Sequence, residues 1–232
     1  MRPYIVRACF FGILLSFMLI PAGCEEIYGP EQVAQEDRIK LWNGKDFAGW
    51  SLFTTEENID VLDIWTVVDG VIHCTGEAAG YIRTDNEYEN YYLHVEWRWP
   101  DEPTNSGVLL HTTGPDKIWP KAIECQLKAT SAGDFVLMNG TGITIDGENK
   151  RNPQQKYVVI PKKEKSSEKP AGQWNTYDIY CNKDSIRCYV NGTLQNEGTA
   201  STDTCGATCL QSEGGPIEFR HIYLVPMELL EK

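Results

Sequence analysis

Apolar and polar residues alternate with a period of two along much of the chain. In an extended strand over Tyr91 to Trp99, Leu93, Val95, Trp97 and Trp99 point one way and His94, Glu96 and Arg98 the other. The same split recurs where Ile123, Cys125 and Leu127 alternate with Glu124, Gln126 and Lys128. Between these segments Asn105-Ser106-Gly107 follows Pro100 and Pro103. This marks a turn into a short apolar strand, Val108 to His111, with Gly107 allowing close approach of backbone or ligand. Trp65 to Cys74 and Ser185 to Gln195 read as hairpins, Trp174 to Cys181 as a strand, and Pro216 to Val225 as a last strand carrying Glu218 and Arg220 on one face. Asn43-Gly44, Asp69-Gly70, Asn139-Gly140, Asp146-Gly147 and Asn191-Gly192 are dipeptides of the kind that close tight hairpins. Little room remains for helix. The pattern predicts an all-β domain of two packed antiparallel sheets.

The ends of the chain follow other rules. Arg2 and Arg7 precede an apolar run from Ala8 to Ile20, and Pro21-Ala22-Gly23 places small residues just before Cys24. Residues 1–23 read as an export signal with a lipoprotein-type cleavage site. The apolar run is too short for a membrane span. Cys24 becomes a lipidated N-terminus, 24–38 a flexible acidic tether, and 39–232 a single sandwich domain of roughly 195 residues, ample for a core. Such a protein sits in the envelope of a bacterium, anchored by lipid in the periplasm or at the outer-membrane surface. The formal charge is -12, and loss of residues 1–23 removes two arginines and no acids, giving -14. That balance argues against nucleic acid as a partner and leaves the lipid as the only membrane attachment. In an oxidising compartment Cys181 and Cys188, flanking a turn at Asn182 to Ser185, or Cys205 and Cys209, can close local disulfides. Cys74 and Cys125 read as core thiols. Pro161 to Gly172 reads as a solvated loop.

By alternation Glu96, Arg98, Glu124, Gln126, Glu218 and Arg220 can share one face, with Leu93, Trp97, Ile123 and Phe219 buried behind it. On that expectation Glu96 is the acidic neighbour that Glu124 needs to become a useful base. The competing reading is a ladder of salt bridges across strands. His73, His94 and His221 stand singly on strands and are not taken as ligands.

Leu41-Trp-Asn-Gly-Lys-Asp-Phe-Ala-Gly-Trp50, Trp65 to Gly70, Asn105-Ser-Gly107, Ile123-Glu-Cys-Gln126, Gly172-Gln-Trp-Asn175, Val190-Asn-Gly192, Leu210-Gln211 and Phe219-Arg-His-Ile222 together resemble, in this order, the 3-keto-disaccharide hydrolase family. The resemblance runs from about Ile39 to Leu224. It implies a concanavalin-like jelly-roll sandwich whose concave sheet binds sugars and, in some members, cleavage of glycosides oxidised to a ketone at C3. Such a ketone acidifies the C2 proton, so a base can remove it while charge collects on the ketone oxygen and the C1 substituent departs. In that scheme Glu124 or His111 serves as base, with Glu96 beside it, and Arg98 or Arg220 sits at the oxyanion. Asn105, Gln126, Gln211, Glu218 and Arg220 hold the sugar. No cofactor is expected. The family pattern has arginine where this chain has His111, and aspartate near Lys128-Ala129, which leaves the substrate and a divalent metal open. A non-catalytic carbohydrate-binding module using Trp42, Trp50, Trp119 or Tyr81, a laminin-G-like interaction domain and a conventional two-carboxylate glycosidase are the alternatives.

Overall fold

The computed structural model describes residues 30–230. The export signal, Cys24 and the first part of the tether lie outside the described residues. In chain order the strands are β1 (Ile39–Lys40), β2 (Trp50–Thr54), β3 (Trp65–Val68), β4 (Val71–Cys74), β5 (Gly80–Thr84), β6 (Tyr91–Arg98), β7 (Gly107–Thr113), β8 (Lys121–Gln126) and β9 (Phe135–Met138). There follow β10 (Thr144–Ile145), β11 (Glu148–Asn149), β12 (Tyr157–Ile160), β13 (Asn175–Asn182), β14 (Ser185–Val190), β15 (Thr193–Gly198), β16 (Ala207–Ser212) and β17 (Ile217–Pro226). Among the described residues the α-helix is one turn, Val61–Ile64, capped where Asp60 Oδ1 accepts from the Leu62 amide at 2.9 Å.

Two antiparallel sheets form the sandwich. The front sheet runs β12-β9-β8-β7-β16-β5-β2, and the back sheet β15-β14-β13-β6-β17-β4-β3 with β1 added to β17. Leu93, Val95, Trp97 and Phe219 face inward from the back sheet, against Val108, Leu110, Ile123, Cys125 and Leu210 from the front. Truncating a side chain such as Trp97, which is fully buried, costs about 3–5 kcal/mol. The expected hairpins form: β3 returns as β4 through Asp69-Gly70, β10 as β11 through Asp146-Gly147, and β14 as β15 through Asn191-Gly192, each with both turn residues at positive φ. Asn139-Gly140 turns the chain into an excursion before it pairs back. Asn43 instead makes a side-chain turn, its Oδ1 accepting from the Lys45 and Asp46 amides at 2.7 and 3.1 Å.

Alternation fails at two bulges. In β7, Leu110 pairs with Ile123 and Thr113 with Lys121, so two residues oppose one, and His111 takes φ 51°. In β17 the register shifts between Arg220 and Tyr223, with His221 at φ 49°.

The six described cysteines are free thiols. Cys181 pairs with Ile186 and Cys188 with Ile179, so the two are offset along the hairpin, while Cys209 is buried and Cys205 exposed.

The described part of the expected tether is docked rather than free. Val33 packs with Tyr92, Val225, Met227 and Leu230, and Arg38 Nη2 donates to the carbonyls of Pro30 and Val33 at 3.2 and 3.1 Å. The apolar side chain at Val33 covers the end of the back sheet, which outweighs the acidic composition around it. Val33→Asp is expected to lower stability by about 1–3 kcal/mol and to open residues 30–38 to protease. Denaturant melts and limited proteolysis check this, and an unchanged cleavage pattern would argue that the segment is not held by this contact.

Candidate functional site

The residues expected to converge on one face divide between two. Glu96, Arg98, Glu218 and Arg220 lie outward on the back sheet, where Arg220 pairs in register with Glu96 and Glu218 with Arg98. Arg220 Nε donates to Glu96 Oε2 at 2.6 Å, His221 Nδ1 contacts Glu96 Oε1 at 2.9 Å, and Arg98 Nε donates to Glu218. The guanidinium carbons of Arg98 and Arg220 both lie over the Trp174 ring, 4.6 and 4.0 Å from its centroid. Burial would raise the Glu96 carboxyl, yet the hydrogen bonds from His221 and Arg220 outweigh it and hold this acid below the ordinary carboxylate range. Every carboxylate of this row is paired, which is the salt-bridge ladder.

Glu124, Gln126, Gln211 and Asn105 lie on the front face, beyond the core from that ladder. Ile123 and Cys125 face inward, so Glu124 faces outward beside Leu109 and Val136. Glu124 and Gln126 flank the rows of Leu109 and Gly107, and Gly107 provides the room. A Cβ there would lie 2.1 Å from Glu124 Oε1 and 2.7 Å from its Cδ, so the carboxyl rests over the glycine backbone where any side chain would stand. Gln211 flanks Gly107 on the other side, one step beyond the Leu210–Val108 pair, and Ser106 Oγ donates to its carbonyl at 2.7 Å.

Together Asn105, Glu124, Gln126, Lys128 and Glu213 line one side of a groove of about 460 Å³. Glu124 is 2 % exposed, and its Oε1 makes no hydrogen bond to the protein. Burial, reinforced by the nearby charge of Glu213, pushes its pKa up to about 8. Glu213 is itself raised by burial, and partly offset by a hydrogen bond with the Asn105 side chain and by the charge of Lys128. The acidic neighbour that Glu124 requires is thus Glu213, not Glu96. Glu213 went unread in the sequence, although the period of two from Gln211 places it on the same face. Gln126 Oε1 accepts from the amides of Leu127 and Lys128 at 2.9 and 2.8 Å, which fixes its side-chain NH₂ as the donating end. Asn105 Oδ1 and Gln211 Oε1 are buried acceptors without a protein partner. Unpaired donors and acceptors around an unpaired carboxyl suit a polyhydroxylated ligand.

His111 is not part of this set. The bulge turns it inward, its ring edge-on to Tyr91 with centroids 5.6 Å apart, and Nδ1 donates to the Asp203 carbonyl at 3.0 Å. At 2 % exposure, burial drives its pKa down to about 4, and it meets no solvent-borne substrate. Among the described residues no group of three His, Cys, Asp or Glu side chains is placed to hold a metal.

A family model, described as the 3-keto-alpha-glucoside-1,2-lyase-like domain, matches residues 37–225. The chain belongs to this family. No curated protein matches it. Among solved structures it is similar to a candidate glycosyl hydrolase from Parabacteroides distasonis, at 22 % identity and TM-score 0.61 over 84 % of this chain and 97 % of that one. It also resembles a β-glucanase from Bacillus licheniformis (13 %, TM-score 0.54, 80 % and 96 % covered) and the carbohydrate-binding module CBM66 from Bacillus subtilis (11 %, TM-score 0.50, 75 % and 93 %). All three share the sandwich.

For this member of the 3-keto-glucoside-lyase-like family the buried acid has a thermodynamic signature. The folded carboxyl of Glu124 keeps its proton up to about 8, whereas the unfolded one releases it near 4.5. The stabilisation is complete below 4.5 and is lost as pH rises through 8. Glu124→Gln, which does not ionise, is expected to gain on the parent protein by on the order of 4 kcal/mol between about pH 4 and pH 9. Parallel stability profiles in denaturant titrations across that range would show that Glu124 is not buried as an acid.

Proposed function

We propose that the front groove binds a glycoside carrying a ketone at C3 and that Glu124 removes the proton from C2. The C2 proton passes to Glu124, its electron pair forms the C1=C2 bond, and the C1–O bond breaks. The leaving oxygen takes a proton and departs as an alcohol, so the step is redox-neutral. The observation that carries this reading is a carboxyl held unpaired and raised to about 8 at the floor of a sugar-sized groove in a chain of this family. A base that holds a proton more tightly than an ordinary carboxylate is better matched to a weak carbon acid. Arg98 and Arg220 stand on the other face, so the ketone oxygen is assigned to the Gln126 NH₂ and the Lys128 ammonium. Glu213, tied to Asn105 and already a carboxylate where Glu124 titrates, accepts from a sugar hydroxyl, and the leaving oxygen takes its proton from water. Asn105 and Gln211 supply acceptors for sugar hydroxyls.

Turnover of a 3-keto glycoside is expected to rise with pH through about 8, as Glu124 ionises, and to fall by at least ~100-fold in Glu124→Gln while sugar binding persists. The product of elimination is an enone, followed by its ultraviolet absorbance. A conventional glycosidase using the Glu124–Glu213 pair would release a reducing sugar from an unoxidised glycoside and form no enone, and that product would overturn the proposal.

Export and anchoring form a separate part of the proposal, supported by the pattern of residues 1–24: the protein is carried to the bacterial envelope and held there by lipid on Cys24. Cys24→Ala is expected to move it from membranes to a soluble exported fraction, and continued membrane association would refute this attachment.

A further inference from the structure

The groove is not polar throughout. Toward β12 the lining continues with Val136, beside Glu124, and with Trp119, Tyr157 and Val159, together with Ser131 and with Asp134, whose Oδ1 is taken by the Lys162 amide at 2.9 Å. Tyr157 and Val159, two apart on β12, leave 50 % and 49 % of their surface exposed, and exposed large apolar side chains are few among the described residues. The Trp119 and Tyr157 rings are stacked, centroids 6.1 Å apart and inclined by 29°, and Lys156 Nζ lies 5.0 Å from the Trp119 centroid. Their position is built. The loop that delivers Trp119 is pinned at Asp116, which accepts from Tyr81 Oη at 2.8 Å and pairs with Arg83 at 3.0 Å. At its far end Asn139 Nδ2 donates to the carbonyls of Trp119 and Pro120.

Building on the sugar-binding reading above, we infer that the groove selects aryl glycosides, with the sugar over Glu124 and an aromatic leaving group against Trp119, Tyr157, Val136 and Val159. A second sugar ring pressed on two valines would leave hydroxyls without partners, each at a desolvation cost, whereas an aromatic ring has none to lose. The exposed aromatic surface of Tyr157, backed by Trp119, rewards a flat apolar group beyond the area it covers. A phenol is also a better leaving group than a sugar alcohol, which suits a site where the carboxylate of Glu213, and not a neutral acid, stands near Glu124.

Binding of phenyl and methyl α-glucoside, measured by calorimetry, tests these side chains apart from the chemistry, because neither carries the ketone. The phenyl glucoside is expected to bind about 10-fold more tightly than the methyl. Tyr157→Ser, at a half-exposed position, should remove most of that difference and leave methyl glucoside affinity within about two-fold. Trp119→Ala should do the same if its thermal melt stays cooperative. Equal affinities in the parent protein, tighter binding of a disaccharide than of the phenyl glucoside, or no phenyl glucoside binding at its solubility limit would each overturn the inference. An absent enone with the phenyl preference intact would instead sink only the elimination chemistry.

Discussion

The core between the two sheets is the constraint on which the molecule depends. Trp97, Phe219 and Leu93 from one side and Ile123, Val108 and Leu210 from the other remove apolar surface from water, at about 25 cal/mol per Å². That burial decides the inward face of every strand, and a slip of one residue would turn each core side chain to solvent. The same rule holds the two sheets about 10 Å apart with a dry interior between them, and sends their outward rows to opposite surfaces, farther apart still. Glu124 and the Arg98–Arg220 pair therefore belong to different surfaces, whatever their similarity in pattern.

This explains what could and could not be read from the residues. Period-two alternation and the Asp-Gly and Asn-Gly turns are local, so strands, hairpins and inward faces were legible at Leu93, Trp97, Ile123 and Phe219. Sheet membership is not local. Glu96 finds its partner in Arg220, 124 residues on, and nothing within β6 or β8 says that the two strands lie in different sheets. The histidine in β7 failed for a different reason: alternation puts His111 outward, and one bulge residue at φ 51° reverses it. Glu213 is the opposite case, since the spacing from Gln211 already carried it to the front face behind a Ser-Glu-Gly-Gly run that looks like a turn.

The two faces deal with buried charge in contrasting ways. On the back, Glu96 gathers Arg220 and His221, and Glu218 gathers Arg98 and His73, so the acids are neutralised where they stand. Such pairs add little stability at partial exposure, and Glu96, held below the ordinary carboxylate range, is left a weak base. On the front, Glu124 is surrounded by groups that do not neutralise it, and its one strong electrostatic neighbour is another carboxylate. Folding tolerates this because Gly107 gives the carboxyl a place to lie and because the proton can stay on.

That tolerance ends where the proton leaves. An ionised Glu124 over Gly107 would be a buried charge without a counterion, so the site favours the neutral acid until something in the groove stabilises the anion. The groups positioned to do so belong to the groove or to its ligand: the Gln126 NH₂, the Lys128 ammonium and sugar hydroxyls that could donate to Oε1. Binding and ionisation are then linked. A ligand that donates to Glu124 lowers its pKa from about 8 and, by the same free energy, binds more tightly as pH rises, whereas a ligand that only covers the carboxyl does the reverse. A base of this kind is strongest when the donors turn away from it, so the hydroxyl arrangement of the bound sugar, and not Glu124 alone, governs how readily the C2 proton is taken.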